Sequence, residues 1–380
     1  MFQAFSDAFY KELQEISNSY YKVFLLTLFP LICFGLVVAI FYKGVAHDMP
    51  VVYVDNDKSD ISRRLLFHLN ASPTIALKNE FASPKEASSS LSSSKAYAIV
   101  VIPEHFKRDI LLKKQPKVTV MLNTQYILVG KIIKAALLET VGTSSAQIDF
   151  VQSLAQTPST QEAMERLTPI QLYNVAFFNT YKNYFYFLVT ALLPSIWQIF
   201  IVIATIVSFG SLFKEKRERE FFHGRFIEMQ ILGKMFPYTL AYMAWGIAYM
   251  YFIYATLGWS FHGSWSVMFF GMFVCVIAYQ AMALFFFATG FDYARSLSLG
   301  AVYTAPAFAF LGVTFPIYNM NTFALFWRDL LPVADLMELQ ISQANYGADV
   351  MLEIDKISSM GLFWLMFIPV FIRFRQRLHV

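Results

Sequence analysis

The feature that most constrains this chain is a series of long stretches without a single Asp, Glu, Lys or Arg: residues 23–42, 183–213, 235–291, 296–327 and 357–372. A bilayer core about 30 Å thick is crossed by about 20 helical residues, so each stretch can supply at least one span. One soluble core cannot absorb them. Of 380 residues, 57% are hydrophobic and 15% are charged, whereas an ordinary soluble domain carries about a quarter charged. An ordinary cytosolic enzyme is thereby excluded. The net charge is only +4, and the cations are sorted by position rather than gathered into a nucleic-acid stripe.

The stretch 235–291 is too long for one helix, and its middle reads Gly258-Trp-Ser-Phe-His-Gly-Ser-Trp265, a Gly-rich turn flanked by tryptophans. It divides into two spans. The fold class expected is therefore a polytopic α-helical membrane protein with six transmembrane helices, near 23–42, 184–211, 235–257, 266–289, 297–316 and 358–373. Lys11, Lys22, Lys214, Lys216, Arg217, Arg219, Arg225, Lys234, Arg295, Arg373, Arg375 and Arg377 fall on one side of that topology, while the short loops of the other hold only Arg328 and Lys356. The positive-inside rule then puts both termini in the cytoplasm.

Ahead of the first span, Phe2, Phe5, Phe9, Leu13, Ile16 and Tyr20 recur at steps of three and four, with Asp7, Lys11 and Glu15 on the other face. This predicts an amphipathic helix over 1–22 lying on the cytoplasmic surface. The first span has acidic residues before it and no small-residue cleavage site after it, so it reads as an uncleaved anchor.

Residues 43–182 have ordinary polarity and face outward by topology. Strands are predicted at 51–55, 74–78, 96–102 and 117–122, alternating with helices at 59–69, 83–92 and 103–112, the last opened by Pro103. A long helix from about 129 to 156 runs back toward the membrane. The alternation predicts an extracytoplasmic α/β domain with helices on a mixed sheet.

No catalytic constellation appears. The phosphate-cradling G-x-x-x-x-G-K-[ST] pattern is absent at both Gly130-Lys131 and Gly233-Lys234. The histidines lack metal-ligand spacing, and Cys33 and Cys275, the only two cysteines, both sit in apolar runs. Asp55 and Asp57 lack the Gly and Glu of a calcium loop and read instead as a capped strand-to-helix turn. The spans carry no ionisable residue at mid-depth, which argues against an ion-driven carrier. Energy for any transport must reach the chain from outside. The cytoplasmic loop within 212–234 has room to receive it, with alternating charges Lys214-Glu-Lys-Arg-Glu-Arg-Glu220 and an expected exposed apolar patch, Phe221-Phe-His-Gly-Arg-Phe226. After the fifth span, Gly312-Val-Thr-Phe-Pro316 and Pro332 punctuate an uncharged run that predicts an outer segment, 313–335, dipping back into the membrane.

Together these features resemble the membrane subunits of ABC-2 type exporters, in the branch with a large extracytoplasmic domain after the first helix. The resemblance is carried by Val52-Tyr-Val-Asp-Asn-Asp57 with Ser59 and Ser62, Ala98-Ile-Val-Val-Ile-Pro103 with Phe106, Leu172-Tyr-Asn174 with Pro194, Leu232-Gly-Lys-Met-Phe-Pro237, and Gly312-Val-Thr-Phe-Pro316 with Leu331-Pro332. The chain departs from the family at Val175, where Pro is usual, and at Phe221-Phe-His-Gly224, which replaces Gly-Thr-x-Glu.

The resemblance implies a permease subunit without its own ATP site, exporting a hydrophobic or amphipathic drug, lipid or peptide across a bacterial inner membrane. It would pair with a second copy or sister permease and with a separate ATPase that binds ATP and Mg. A periplasmic adaptor and outer-membrane channel are further partners that it leaves open. Coupling would fall to Lys214, Glu215, Arg217, Glu218, Arg219, Glu220, Phe221, Phe222 and Arg225. The route would be faced by Tyr186, Thr190, Trp197, Tyr303 and Thr304, with Gly312, Phe315, Pro316 and Pro332 in the outer segment. The alternative is a membrane sensor or scaffold that binds through its outer domain and transports nothing.

Overall fold

The computed structural model describes residues 1–42, 44, 46–93, 95–112, 114–154, 178–179, 183–223, 225–313 and 315–379. Leu172-Tyr-Asn174, Val175, Gly224 and Thr314 of the motifs above lie outside the described residues. Two compact units divide the chain, one of Met1–Gly44 with Phe177–Val380 and one of Val45–Ala176.

The first unit begins with α1 (Phe2–Ser17), α2 (Tyr20–Leu26) and α3 (Leu28–Phe41). The expected first span is thus split at Thr27. Pro30, in the first turn of α3, has no N–H to return to residue 26, so the ladder is interrupted there.

In the Val45–Ala176 unit the order is β1 (Met49–Asp55), α4 (Asp60–Ala71), β2 (Ile75–Glu80), α5 (Pro84–Ser92), β3 (Ala98–Ile102), α6 (Phe106–Leu111), β4 (Thr119–Leu122) and α7 (Ile127–Leu154). The sheet order is β2-β1-β3-β4, with β1 parallel to β2 and β3 and with β4 antiparallel to β3. Period-2 alternation feeds both faces. Val51, Ala98, Val100 and Ile102 pack with Leu65 and Leu69 of α4 and Ile133 and Leu137 of α7. Val52, Val54 and Ile99 pack on the other face with Ala87 of α5.

Two side chains set the helix starts that follow the strands. Asp55 Oδ1 accepts from the N–H groups of Asp57 and Lys58 at 3.1 and 3.0 Å, and Oδ2 accepts from Ser62 Oγ at 2.7 Å. Ser59 caps α4 by accepting from Ser62 N. The helix expected to open at Pro103 instead starts at Phe106, after His105 in the left-handed region with φ 62°. Its start is fixed from a distance, since Lys107 N donates to Asp57 Oδ2 at 3.0 Å.

The first unit resumes with α8 (Tyr184–Lys214), α9 (Glu218–Phe221) and α10 (Ile227–Tyr251), the last followed by a π-helical turn, Phe252–Thr256. Then come α11 (Trp265–Ala288), α12 (Tyr293–Thr304), α13 (Ala307–Phe310), α14 (Thr322–Asp329), α15 (Pro332–Ile341) with a second π turn at Ser342–Tyr346, α16 (Val350–Leu362) and α17 (Phe367–His379). Among the described residues, four helical segments are long and apolar enough to cross a bilayer: Tyr20–Phe41, Tyr184–Lys214, Trp265–Ala288 and Val350–Leu378.

The span expected at 297–316 is not one helix. Pro306 ends α12 and leaves α13 as a single turn, because residue 306 cannot donate to the carbonyl of residue 302. Beyond it Gly312 adopts φ +81°, a conformation that suits glycine. The expected 313–335 segment resolves into a 3₁₀ turn, Ile317–Asn319, the amphipathic α14 and the start of α15, with Pro332 in its first turn. Phe315, Phe323 and Phe326 are exposed, while Val333, Leu336 and Leu339 of α15 are buried in the main helical core.

Replacing Asp55 by Ala would leave several donors without their acceptor at a buried position and cost about 3 kcal/mol. The measurement is hydrogen exchange of β1 and α4 amides in the full chain. We expect exchange faster by about two orders of magnitude, with the helices of the other unit unchanged.

Candidate functional site

The loop between α8 and α10 forms a folded platform. Helix α9 is one turn, and its charges divide by direction. Arg219, Glu220 and Arg225 are exposed, as are Lys214 and Glu215, whereas Arg217 and Glu218 are half-buried. Of the patch expected on the surface over Phe221–Phe226, Phe221 and Phe222 are instead buried, at 2% and 3% exposure, while Phe226 is exposed. Phe222 stacks against Phe209 of α8 at 6.1 Å between ring centres and meets Phe374 of α17 edge-on at 5.9 Å. Phe221 lies beneath the ammonium groups of Lys11 and Lys234, at 4.8 and 4.3 Å. Their role is to seat the loop on the helix ends. His223 and Gln230 close it further, the His223 N–H donating to Gln230 Oε1 and Gln230 Nε2 donating to the His223 carbonyl.

Helix α1 completes the platform in a way that the amphipathic pattern does not suggest. Phe2, Leu13 and the following Tyr20 stay exposed, while Ala8 and the carboxylate of Glu12 are buried. Gly233 makes the approach to α10 possible, since a Cβ there would come within 2.3 Å of the Phe5 carbonyl oxygen. Phe5 and Phe9 close over Phe236.

Glu12 is the centre of this contact. Its Oε1 accepts from Lys22 Nζ at 3.0 Å, Tyr238 OH at 2.7 Å and Ser208 Oγ at 3.0 Å, and its Oε2 pairs with Lys234 Nζ. One helical turn on, Glu15 pairs with Lys22 at 3.2 Å, Arg217 at 3.0 Å and Lys234 at 3.7 Å. Burial alone would push the Glu15 carboxyl up, but Lys234, Lys22 and Arg217 outweigh it and hold the group below its ordinary value. Lys11 adds a bond to the Glu220 carbonyl at 3.1 Å. Two carboxylates and three cations thus tie α1, α2, α8, the loop and α10 together.

Little in the sequence marks this cluster. Glu12 is one of the acidic residues that precede the first span, and Lys234 falls among the cations of the cytoplasmic loop. The pair is separated by 222 positions, so only the Gly233-Lys234 step hinted at a close, charged contact.

The five residues considered for a route lie within the helix packing. Trp197 is fully buried and donates from Nε1 to the Tyr242 carbonyl at 2.8 Å. Tyr303 OH donates to the Leu330 carbonyl at 2.5 Å, and Thr190 and Thr304 bond back into their own helices. Half-buried Tyr186 donates from its hydroxyl to Asn345 Oδ1 at 3.0 Å. Beside them the buried Gln198 of α8 donates to the Thr304 carbonyl of α12 at 3.3 Å, and its Oε1 has no partner among the described residues. Gln340 of α15 similarly bonds the Thr190 carbonyl and Tyr254 OH. The α8, α12 and α15 seam is therefore polar as well as aromatic.

Among the described residues no group of His, Cys, Asp and Glu could hold a metal. Near the distal end of α15, Glu353 is also buried and is held by Ser342, Gln343 and Lys356, a closed set.

Because Phe222 packs inside, Phe222→Ala is expected to destabilise the chain by about 3–5 kcal/mol. Thermal unfolding of the purified protein in detergent checks this. Arg219→Ala, at an exposed site on the same loop, is the control and should leave the transition where it is.

Residues 22–372 match the family model described as ABC-2 family transporter protein. No curated protein matches the chain.

Proposed function

The chain belongs to the ABC-2 transporter family, as a multi-pass membrane permease, and from that premise we propose that it is the membrane half of an ATP-driven exporter. A separate ATPase, which binds ATP and Mg, is recruited on the exposed charges of the α8–α10 loop. The observation that carries this reading is the loop itself. Lys214, Glu215, Arg219, Glu220 and Arg225 point outward from a platform whose inner side, Arg217, Phe221 and Phe222, is clamped to α1, α8 and α17. A surface that is polar outside and rigid inside can receive a partner and pass on its displacement. The sequence lacks the G-x-x-x-x-G-K-[ST] phosphate-binding pattern, and this reading assigns hydrolysis to the partner.

In this reading the chain has six spans in a bacterial inner membrane, and its orientation, with both termini in the cytoplasm and the 45–176 unit outside, is supported by the placement of the cations. In it α10 supplies the third span and α12 with α13 the broken fifth. Two permease copies, or this chain and a sister permease, would enclose the route. Opening would separate α8 from α12, breaking the Gln198–Thr304 bond and freeing Tyr303 from Leu330. The seam presents rings, hydroxyls and amides, which suits an amphipathic substrate such as a drug, lipid or peptide. Its neighbours Gly312, Phe315 and Pro316 would form the outer lip.

Charge reversal of the outward cations, Arg219→Glu with Arg225→Glu, tests the recruitment. We expect the ATPase recovered with the tagged chain from mild detergent to fall about tenfold, as for rim charges that steer association, with unchanged thermal stability of the chain. Full recovery would move the docking surface elsewhere.

A further inference from the structure

We propose that Glu12 is a positioning residue for energy coupling, holding α1, the loop and α10 as one body so that displacement of the loop is delivered to the membrane helix. The proposal rests on the reading of the loop as the input surface. It goes beyond that reading by naming the group that transmits.

Three observations carry it. Glu12 is fully buried, and its two oxygens are engaged by Lys22 of α2, Ser208 of α8 and Lys234 and Tyr238 of α10. Apolar packing would also hold α1 in place, and buried ion pairs are often matched in stability by hydrophobic isosteres. Charged hydrogen bonds add direction, fixing both the distance and the rotation of α1 against α10. Second, the neighbouring Glu15 binds Arg217 of the loop and Lys22 and Lys234 together, so the same two turns of α1 reach input and output. Third, Gly233 brings the α1 backbone against α10. Sliding or lifting α1 would strand carboxylates and ammonium groups away from water, so the elements move together or the whole cluster breaks.

The test uses the full chain purified with its ATPase in lipid nanodiscs, in a background with Cys33 and Cys275 replaced by Ala. Leu240, exposed on α10, is changed to Cys and carries an environment-sensitive fluorophore, and ATP with vanadate is the driver. In Glu12→Gln we expect the same amount of ATPase and of trapped nucleotide but a fluorescence response about tenfold smaller. Tyr238→Phe, which deletes one hydroxyl contact to Glu12 and keeps the ring, should lower the response about threefold. If Glu12→Gln fails to assemble, Tyr238→Phe decides the question on its own. A response equal to the parent in either assembled variant overturns the proposal and leaves Glu12 a structural staple. A parent chain that recovers no ATPase contradicts the exporter reading itself, a distinct failure.

Discussion

The carboxylate of Glu12 is the constraint around which the rest of the helical unit is arranged. Burying an ion costs several kcal/mol even after relaxation, and the cost is offset only when geometry and hydrogen bonds are complete. Glu12 meets that condition through residues from α2, α8 and α10. The consequence is cooperative. Phe5 over Phe236, Gly233 against the α1 backbone and Lys11 over Phe221 all depend on the same placement of α1. The aromatic layer of Phe209, Phe222 and Phe374 then extends the seat to the C-terminal helix.

How much of this could be read beforehand depended on whether the controlling contacts were local. The strands around Val51–Val54 and Ala98–Ile102 were legible because alternation and β-branching are properties of neighbours. Ser59 and Ser83 marked helix starts for the same reason. The strand order, with β1 between β2 and β3, was not, since pairing joins residues far apart. Pro103 misled because Asp57, from another loop, delays the helix to Phe106. Hydropathy likewise measured the length of the 297–316 run but not the break at Pro306. The largest misreading, Phe221 and Phe222 as an exposed patch, arose because charged neighbours suggested solvent while Phe209 and Phe374 were invisible as partners. Glu12 shows no local sign of its burial, because its partners Lys22, Ser208, Lys234 and Tyr238 lie 10 to 226 positions away.

Membership of the ABC-2 family gives these contacts a use. If the permease is driven by a separate ATPase, as proposed, it must bind that partner on one surface and alter helix packing some distance away. In that reading the outward charges of the loop and the polar seam between α8, α12 and α15 are the two ends of the task. Helix α10 lies between them, anchored at Lys234 and Tyr238 and continuing into the π turn whose Tyr254 bonds Gln340 of α15. A chain of bonded groups therefore runs from α1 and the loop to the seam. Population shift through it requires that the proposed ATPase bind one arrangement better than the other.

The most direct measurement of the central claim is the distance between spin labels at Tyr10 on α1 and Tyr251 at the far end of α10, both exposed. It would be recorded in complexes carrying one labelled copy, nucleotide-free and after vanadate trapping. A rigid α1–α10 body predicts one distance distribution, the same in both states. A distribution that shifts or splits on trapping would show that α1 moves against α10 and would contradict the account.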